Sequence, residues 1–121
     1  ELMESQRAIK RKGGTMRLGA YNCNIEPGTK TYAAYRKKKI SERHRHRWEV
    51  NNRYRDRLVK NGLKISGVNE ELNLVEIIEL PDHPWYIAGQ FHPELKSRVS
   101  KAHPLFREFI KAAVKHLNGK S

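Results

Sequence analysis

The sequence has almost no sulfur and no long apolar stretch. One of its 121 residues is cysteine, so no internal disulfide can form and an oxidised secreted scaffold is excluded. A reducing cytoplasm is the expected compartment. No apolar run approaches the ~20 residues needed to cross a bilayer. The polar start Glu1-Leu2-Met3-Glu4-Ser5 lacks the apolar centre of a secretory signal. A P-loop is missing too: Gly13-Gly14-Thr15-Met16-Arg17-Leu18-Gly19 is glycine-rich, but no Gly-Lys-Ser/Thr follows it. Apolar residues are scarce. Counted with glycine and without tyrosine there are 48 among 121, below the ~45–50% of a typical domain. This length suits one domain that buries about two-thirds of its unfolded surface. The chain is therefore either a small basic domain or a piece of a larger one whose remainder completes the core.

Positive charge is plentiful. Lysine and arginine total 25 against 13 acidic residues, a formal net charge of +12. Residues 1–60 hold 17 basic and 6 acidic side chains, and residues 61–121 hold 8 and 7. The excess is densest from Arg36 to Lys60, with Tyr35, Trp48 and Tyr54 interleaved. Such a field attracts phosphates, and aromatics among cations offer base stacking, so a nucleic-acid module is one expectation. A solvated basic face, or one that meets an acidic surface of another domain, is the plainer one.

Pattern and punctuation predict the elements. Residues 1–11 read as the end of a helix broken by Gly13-Gly14. Met16 to Ile25 reads as a strand and Glu26-Pro27-Gly28 as a turn; residues 29–40 stay ambiguous. Asn51 or Asn52 caps a helix through Lys60 that stops at Gly62. Leu63 to Val68 and Leu72 to Leu80 read as an antiparallel hairpin, and Tyr86 to Phe91 as a further strand. Pro104 opens a helix whose Leu105, Phe106, Phe109, Ile110, Ala113 and Leu117 form one stripe, expected to pack on a sheet. The alternation predicts an α/β or α+β fold, with other strand pairs free to be parallel.

Three stretches carry candidate chemistry. His92-Pro93-Glu94 ends a strand, where Glu94 can orient His92 as the base-plus-orienter half of a nucleophilic triad; the plainer reading is an exposed strand end. The thiol of Cys23 lacks the small neighbours of a nucleophile elbow and reads as a packed side chain. In Glu42-Arg43-His44-Arg45-His46-Arg47-Trp48-Glu49, extended backbone puts Arg43, Arg45 and Arg47 on one side and His44, His46 and Trp48 on the other. Guanidinium forks bind carboxylates or phosphates, or pair internally with Glu42, Glu49 and Asp56. Two histidines without a third ligand among arginines do not make a metal site.

Together these stretches resemble the C-terminal glutaminase domain of the CTP synthases, a family of class I glutamine amidotransferases. The pieces are Gly-Gly-Thr-Met-Arg-Leu-Gly-Ala-Tyr at 13–21, Glu-Arg-His-Arg-His-Arg-Trp-Glu-Val-Asn-Asn at 42–52, Leu-Val-Glu-Ile-Ile-Glu at 74–79 and Asp-His-Pro-Trp-Tyr-Ile-Ala-Gly-Gln-Phe-His-Pro-Glu at 82–94. His103-Pro104-Leu105-Phe106 continues the match. Asn22 stands where the family commonly has proline, and Trp48 where it commonly has tyrosine.

The resemblance implies a three-layer fold with a mixed sheet flanked by helices. It implies that residues 1–121 are the C-terminal portion of a glutaminase domain whose Gly-x-Cys-x-Gly elbow and synthetase domain lie upstream. It makes His92 and Glu94 two members of a Cys-His-Glu triad, Arg47 a residue that holds L-glutamine, and Thr15 with Arg17 part of the lid through which GTP activates. The whole enzyme would use ATP and Mg, with GTP as activator, to aminate UTP to CTP. It would be a homo-oligomer joined through its synthetase domain, with no membrane or nucleic-acid partner. No cofactor and no metal are expected in this part, and the isolated chain is expected to be inactive.

Overall fold

A computed structural model describes residues 16–119. The expected helix end at 1–11, the break at Gly13-Gly14 and the lid residue Thr15 lie outside the described residues. The element order is β1 (Arg17–Ile25), α1 (Lys30–Tyr35), β2 (Lys39–His46), a 3-10 turn (Asn52–Tyr54) running into α2 (Arg55–Lys60), β3 (Lys64–Asn69), β4 (Leu74–Glu79), β5 (Ile87–Gly89), a second 3-10 turn (Pro93–Leu95) and α3 (Pro104–Leu117). The strands form one five-stranded sheet in the order β2-β1-β3-β4-β5. Every described pairing is antiparallel. The α/β architecture with helices on a sheet stands. The parallel pairs allowed for are not among the described residues.

Period-two alternation builds β1 and β2. Arg17, Cys23 and Ile25 point inward from β1, while Leu18, Ala20 and Asn22 are exposed. Ile40, Glu42 and His44 point inward from β2, while Lys39, Ser41, Arg43 and Arg45 are exposed. Register sets Cys23 opposite Ile40, Tyr21 opposite Glu42 and Gly19 opposite His44. Alternation therefore sorts the histidines from the arginines in β2. β3 carries an irregularity on both sides of Gly67, where a Cβ would lie 2.7 Å from Ile77 Cγ1 and 2.8 Å from Cys23 Sγ. Only glycine lets the sheet close at that point.

α1 fills the ambiguous stretch. The Thr29 hydroxyl accepts from Tyr32 N at 3.0 Å, and the buried Glu79 carboxylate accepts from Lys30 N at 3.0 Å and Thr31 N at 3.1 Å. Sheet and helix thus share a carboxylate that satisfies otherwise orphaned N–H groups. The apolar core comprises Cys23, Ile25, Ala34, Ile40, Ile77, Phe91 and Leu105, with Tyr32, Tyr35, Trp85 and Ile87 packed against it. Arg17, Glu42, His44, Glu49, Glu76, Glu79 and His103 are buried too. Part of the interior is polar, which is where the missing apolar residues would have gone.

α3 corrects an expectation. Leu105 is buried, but Phe106, Phe109, Ile110 and Leu117 are exposed, Leu117 to 84%, and so is Ala113. The stripe does not pack on the sheet. Periodicity establishes that a helix has an apolar face, not that anything covers it. α3 approaches α1 instead, where Arg107 Nη2 donates to Ala34 O at 3.2 Å.

Candidate active site

The segment after β5 leaves β4 and crosses towards β2. Gln90 N donates to Glu76 O at 2.8 Å, and His92 N donates to Arg43 O at 2.9 Å. Between them Phe91 is buried. Pro93 cannot donate to a ladder and starts a 3-10 turn. The turn brings Glu94 back to His92, so that His92 Nδ1 lies 2.5 Å from Glu94 Oε1. Sequence spacing anticipated the contact but gave the wrong reason, since a turn makes it and not a continued strand. The hydrogen bond from His92 holds the Glu94 carboxyl below its ordinary range. An ionised carboxylate only accepts, so Nδ1 carries a hydrogen and, in the neutral ring, Nε2 carries the lone pair. That is the state of a general base. His92 and Glu94 are partly exposed, at 41% and 57% of their side chains.

The other expected residues are not all beside this pair. Arg47 is half-buried in the bend that follows β2. Arg17 is fully buried, with Nη1 at 3.0 Å from Glu49 Oε1 and 2.7 Å from Glu76 Oε1. Cys23 is buried in the core, and burial pushes its thiol up to about 12, with Glu76 and Glu42 adding to the effect. A thiol so placed holds its proton and is no nucleophile. Arg43 and Arg45 share the exposed face as expected, while Trp48 lies beyond the strand and is exposed.

Two buried polar clusters escaped the sequence reading. Glu42 accepts from Tyr35 Oη at 2.5 Å and from His103 Nε2. His103 Nδ1 accepts from Leu105 N at 3.1 Å and so caps α3. One imidazole thereby pins helix to strand, and its tautomer is fixed with the hydrogen on Nε2. The other cluster joins Arg17, Glu76 and Glu49 to His44 and His46. The signal for both was present in Glu42 and Glu76, acidic residues at inward positions of otherwise readable strands. Among the described residues no group of three His, Cys, Asp or Glu side chains could hold a metal ion. Beside β2 a groove is lined by Lys37, Lys39, Arg43, Lys96, Arg98 and Lys101. Tyr35 and His103, which also line it, are both tied to Glu42.

Comparison with known proteins supplies the family. The family model of class-I glutamine amidotransferases matches residues 3–112. The chain belongs to that family. It is 57% identical over 117 residues to a CTP synthase of Trichlorobacter lovleyi, covering 97% of this chain and 22% of that protein. A CTP synthase of Chloroflexus aggregans is 60% identical over 117 residues, again 97% of this chain and 21% of the relative. One from Methanosphaera stadtmanae is 60% identical over 113 residues, or 93% of this chain and 21% of the relative. Among solved structures, the glutaminase domain of the Trypanosoma brucei enzyme with bound acivicin matches with a TM-score of 0.85 and 36% identity, covering 94% of this chain and 45% of that one. This amidotransferase chain thus spans about a fifth of the length of these curated relatives. Among its described residues no helix is long and apolar enough to cross a membrane.

Proposed function

We propose that this chain is the His-Glu part of the glutaminase half of a CTP synthase. One observation carries the reading: the 2.5 Å contact between His92 Nδ1 and Glu94 Oε1, which leaves Nε2 as a base at the end of a sheet. In the parent, a cysteine supplied upstream attacks the amide carbonyl of L-glutamine. His92 Nε2 takes the thiol proton and returns it to the departing ammonia, leaving a γ-glutamyl thioester for water to open. Glu94 keeps the ring turned and stabilises its charged form. Arg47 holds the glutamine, and Thr15 belongs to the lid through which GTP acts, with Arg17 anchoring the base of that stretch in β1. Ammonia then passes to phosphorylated UTP in the synthetase domain. ATP, Mg and the homo-oligomer contacts belong to residues of the parent outside this chain. The acivicin-bound glutaminase domain supports the reading through its fold.

The test separates the two ammonia sources. In the full-length parent, His92→Ala should abolish glutamine-dependent CTP formation and leave formation from added ammonia largely intact. Equal loss of both would sink the assignment.

A further inference from the structure

The proposed triad makes no use of the buried cluster that Phe91 packs against. One hydrogen-bond chain runs through that cluster, and its far end fixes its direction. The Trp48 carbonyl, an obligate acceptor, lies 3.1 Å from His46 Nδ1. Glu49 Oε1, also an acceptor, lies 3.4 Å from the same nitrogen. His46 therefore carries a hydrogen on Nδ1. Burial holds its imidazole below the ordinary range, so it is neutral and its Nε2 accepts. That atom is 2.8 Å from His44 Nδ1, which must donate. His44 Nε2 is left with a lone pair, and it faces Glu76 Oε2 at 3.1 Å. Both side chains are fully buried, and neither atom has any other hydrogen-bonding partner among the described residues. Two buried acceptors do not face each other at that distance without a hydrogen between them.

We infer that Glu76 and His44 share one proton, carried as a carboxylic acid on Glu76, and that this proton positions the segment bearing His92. Only the second half of that statement rests on His92 being the triad histidine. The pair is tied to the segment at three points. Glu76 O accepts from Gln90 N at 2.8 Å. The His44 ring meets Phe91 edge-on, with centroids 5.9 Å apart. Arg43, the neighbour of His44, accepts from His92 N at 2.9 Å. Glu76 is thus a positioning residue that acts through Gln90 and Phe91.

The surroundings agree. From β1 the pair is faced by Arg17, by Tyr21, whose ring stands edge-on to His44, and by Cys23. His46 faces it from β2, Glu49 from the bend beyond, and His92 from the segment past β5. Arg17 and Glu49 cancel, so an acid at Glu76 keeps the cluster close to neutral. Burial pushes the Glu76 carboxyl up to about 7 against the pull of Arg17. Burial, with Arg17, pushes the His44 imidazole down to about 3. Both directions leave the proton on the carboxyl. Its loss would set two lone pairs face to face and loosen the bed under Phe91.

Infrared difference spectroscopy of the full-length parent, with pH profiles of its glutaminase rate, tests this. The wild type should show a buried carboxylic-acid carbonyl band at neutral pH, absent in Glu76→Gln. The glutaminase rate should fall on the alkaline side as that band titrates. In Glu76→Gln, whose amide offers His44 a hydrogen that cannot be titrated, this limb should move up by about one pH unit or more. Ammonia-dependent synthesis reports whether the variant is folded. A neutral-pH spectrum unchanged by the substitution makes Glu76 ionised and overturns the shared proton. A lost band with an unmoved pH profile overturns the positioning role. Should the variant not fold, a wild-type band and rate that titrate at different pH overturn it as well. Failure of the triad assignment would show separately in His92→Ala and would leave the band untouched.

Discussion

In the proposed role, His92 acts as a base only while Glu94 keeps its ring turned, so that role hangs on a single exposed hydrogen bond. Glu94→Gln in the parent should lower the glutaminase kcat by about 10²–10⁴-fold, the range of a mispositioned general base, and spare ammonia-dependent synthesis. Steady-state rates with either nitrogen source check this. Because His92 holds the Glu94 carboxyl below its ordinary value, the pair should persist as pH falls through the usual carboxylate range and break only below it. The buried Glu76-His44 pair leaves a different mark. Unfolded, these groups titrate near 4.5 and 6.5; folded, at about 7 and about 3. Between the two unfolded values each state binds one proton, and the pair adds no slope. Above 6.5 the unfolded chain loses its proton first, and stability falls as pH rises towards about 7. Below 4.5 the unfolded chain gains a second proton that the folded one refuses until about 3, and stability falls again. Glu76→Gln removes the alkaline fall and leaves His44 alone, so its acid loss should begin near 6.5 and not near 4.5. Melting temperatures of the parent and the variant across this range test the signs. The His92-Glu94 contact was legible because two chemically distinctive residues sit two apart. The Glu76 proton was not, since an acid inside Leu-Val-Glu-Ile-Ile reads as one polar position in an apolar strand until its neighbours are known.

Strands announced themselves better than helices. Apolar, β-compatible runs between turn signals gave β1, β3 and β4, and period two sorted the histidines of β2 from its arginines without telling which side faces inward. α1 has only six residues and is held by Thr29 and Glu79, a cap and a distant acid, neither of which a window of sequence reveals. α3 was visible as an element, but what its stripe packs against is a tertiary fact. The β3 irregularity is a further tertiary fact: Gly67 looks like a tolerated weakness in a strand, yet its missing side chain is where Ile77 and Cys23 meet. Gly67→Ala should destabilise the parent's glutaminase half by about 1–3 kcal/mol, the cost of overpacking a closed core. Urea unfolding followed by tryptophan fluorescence measures it.

At the scale of the whole chain, the small apolar complement, the +12 charge and the bare face of α3 belong together. Phe106, Phe109, Ile110 and Leu117 form an exposed patch of the kind that marks an interaction surface. The isolated chain should bind a hydrophobic dye strongly and release no ammonia from glutamine. Ammonia release that disappears on replacing Cys23 would make that buried thiol the nucleophile after all. One more consequence lies at the rim of the sheet. β2 is its outermost strand on one side, and its outward carbonyls at Arg43 and Ser41 are taken by His92 N and Lys96 Nζ. A bare strand edge invites a neighbouring molecule to extend the sheet. The stretch that bears the proposed base therefore also occupies part of that edge. Substitutions that loosen it should be selected against twice, once for the chemistry and once for solubility.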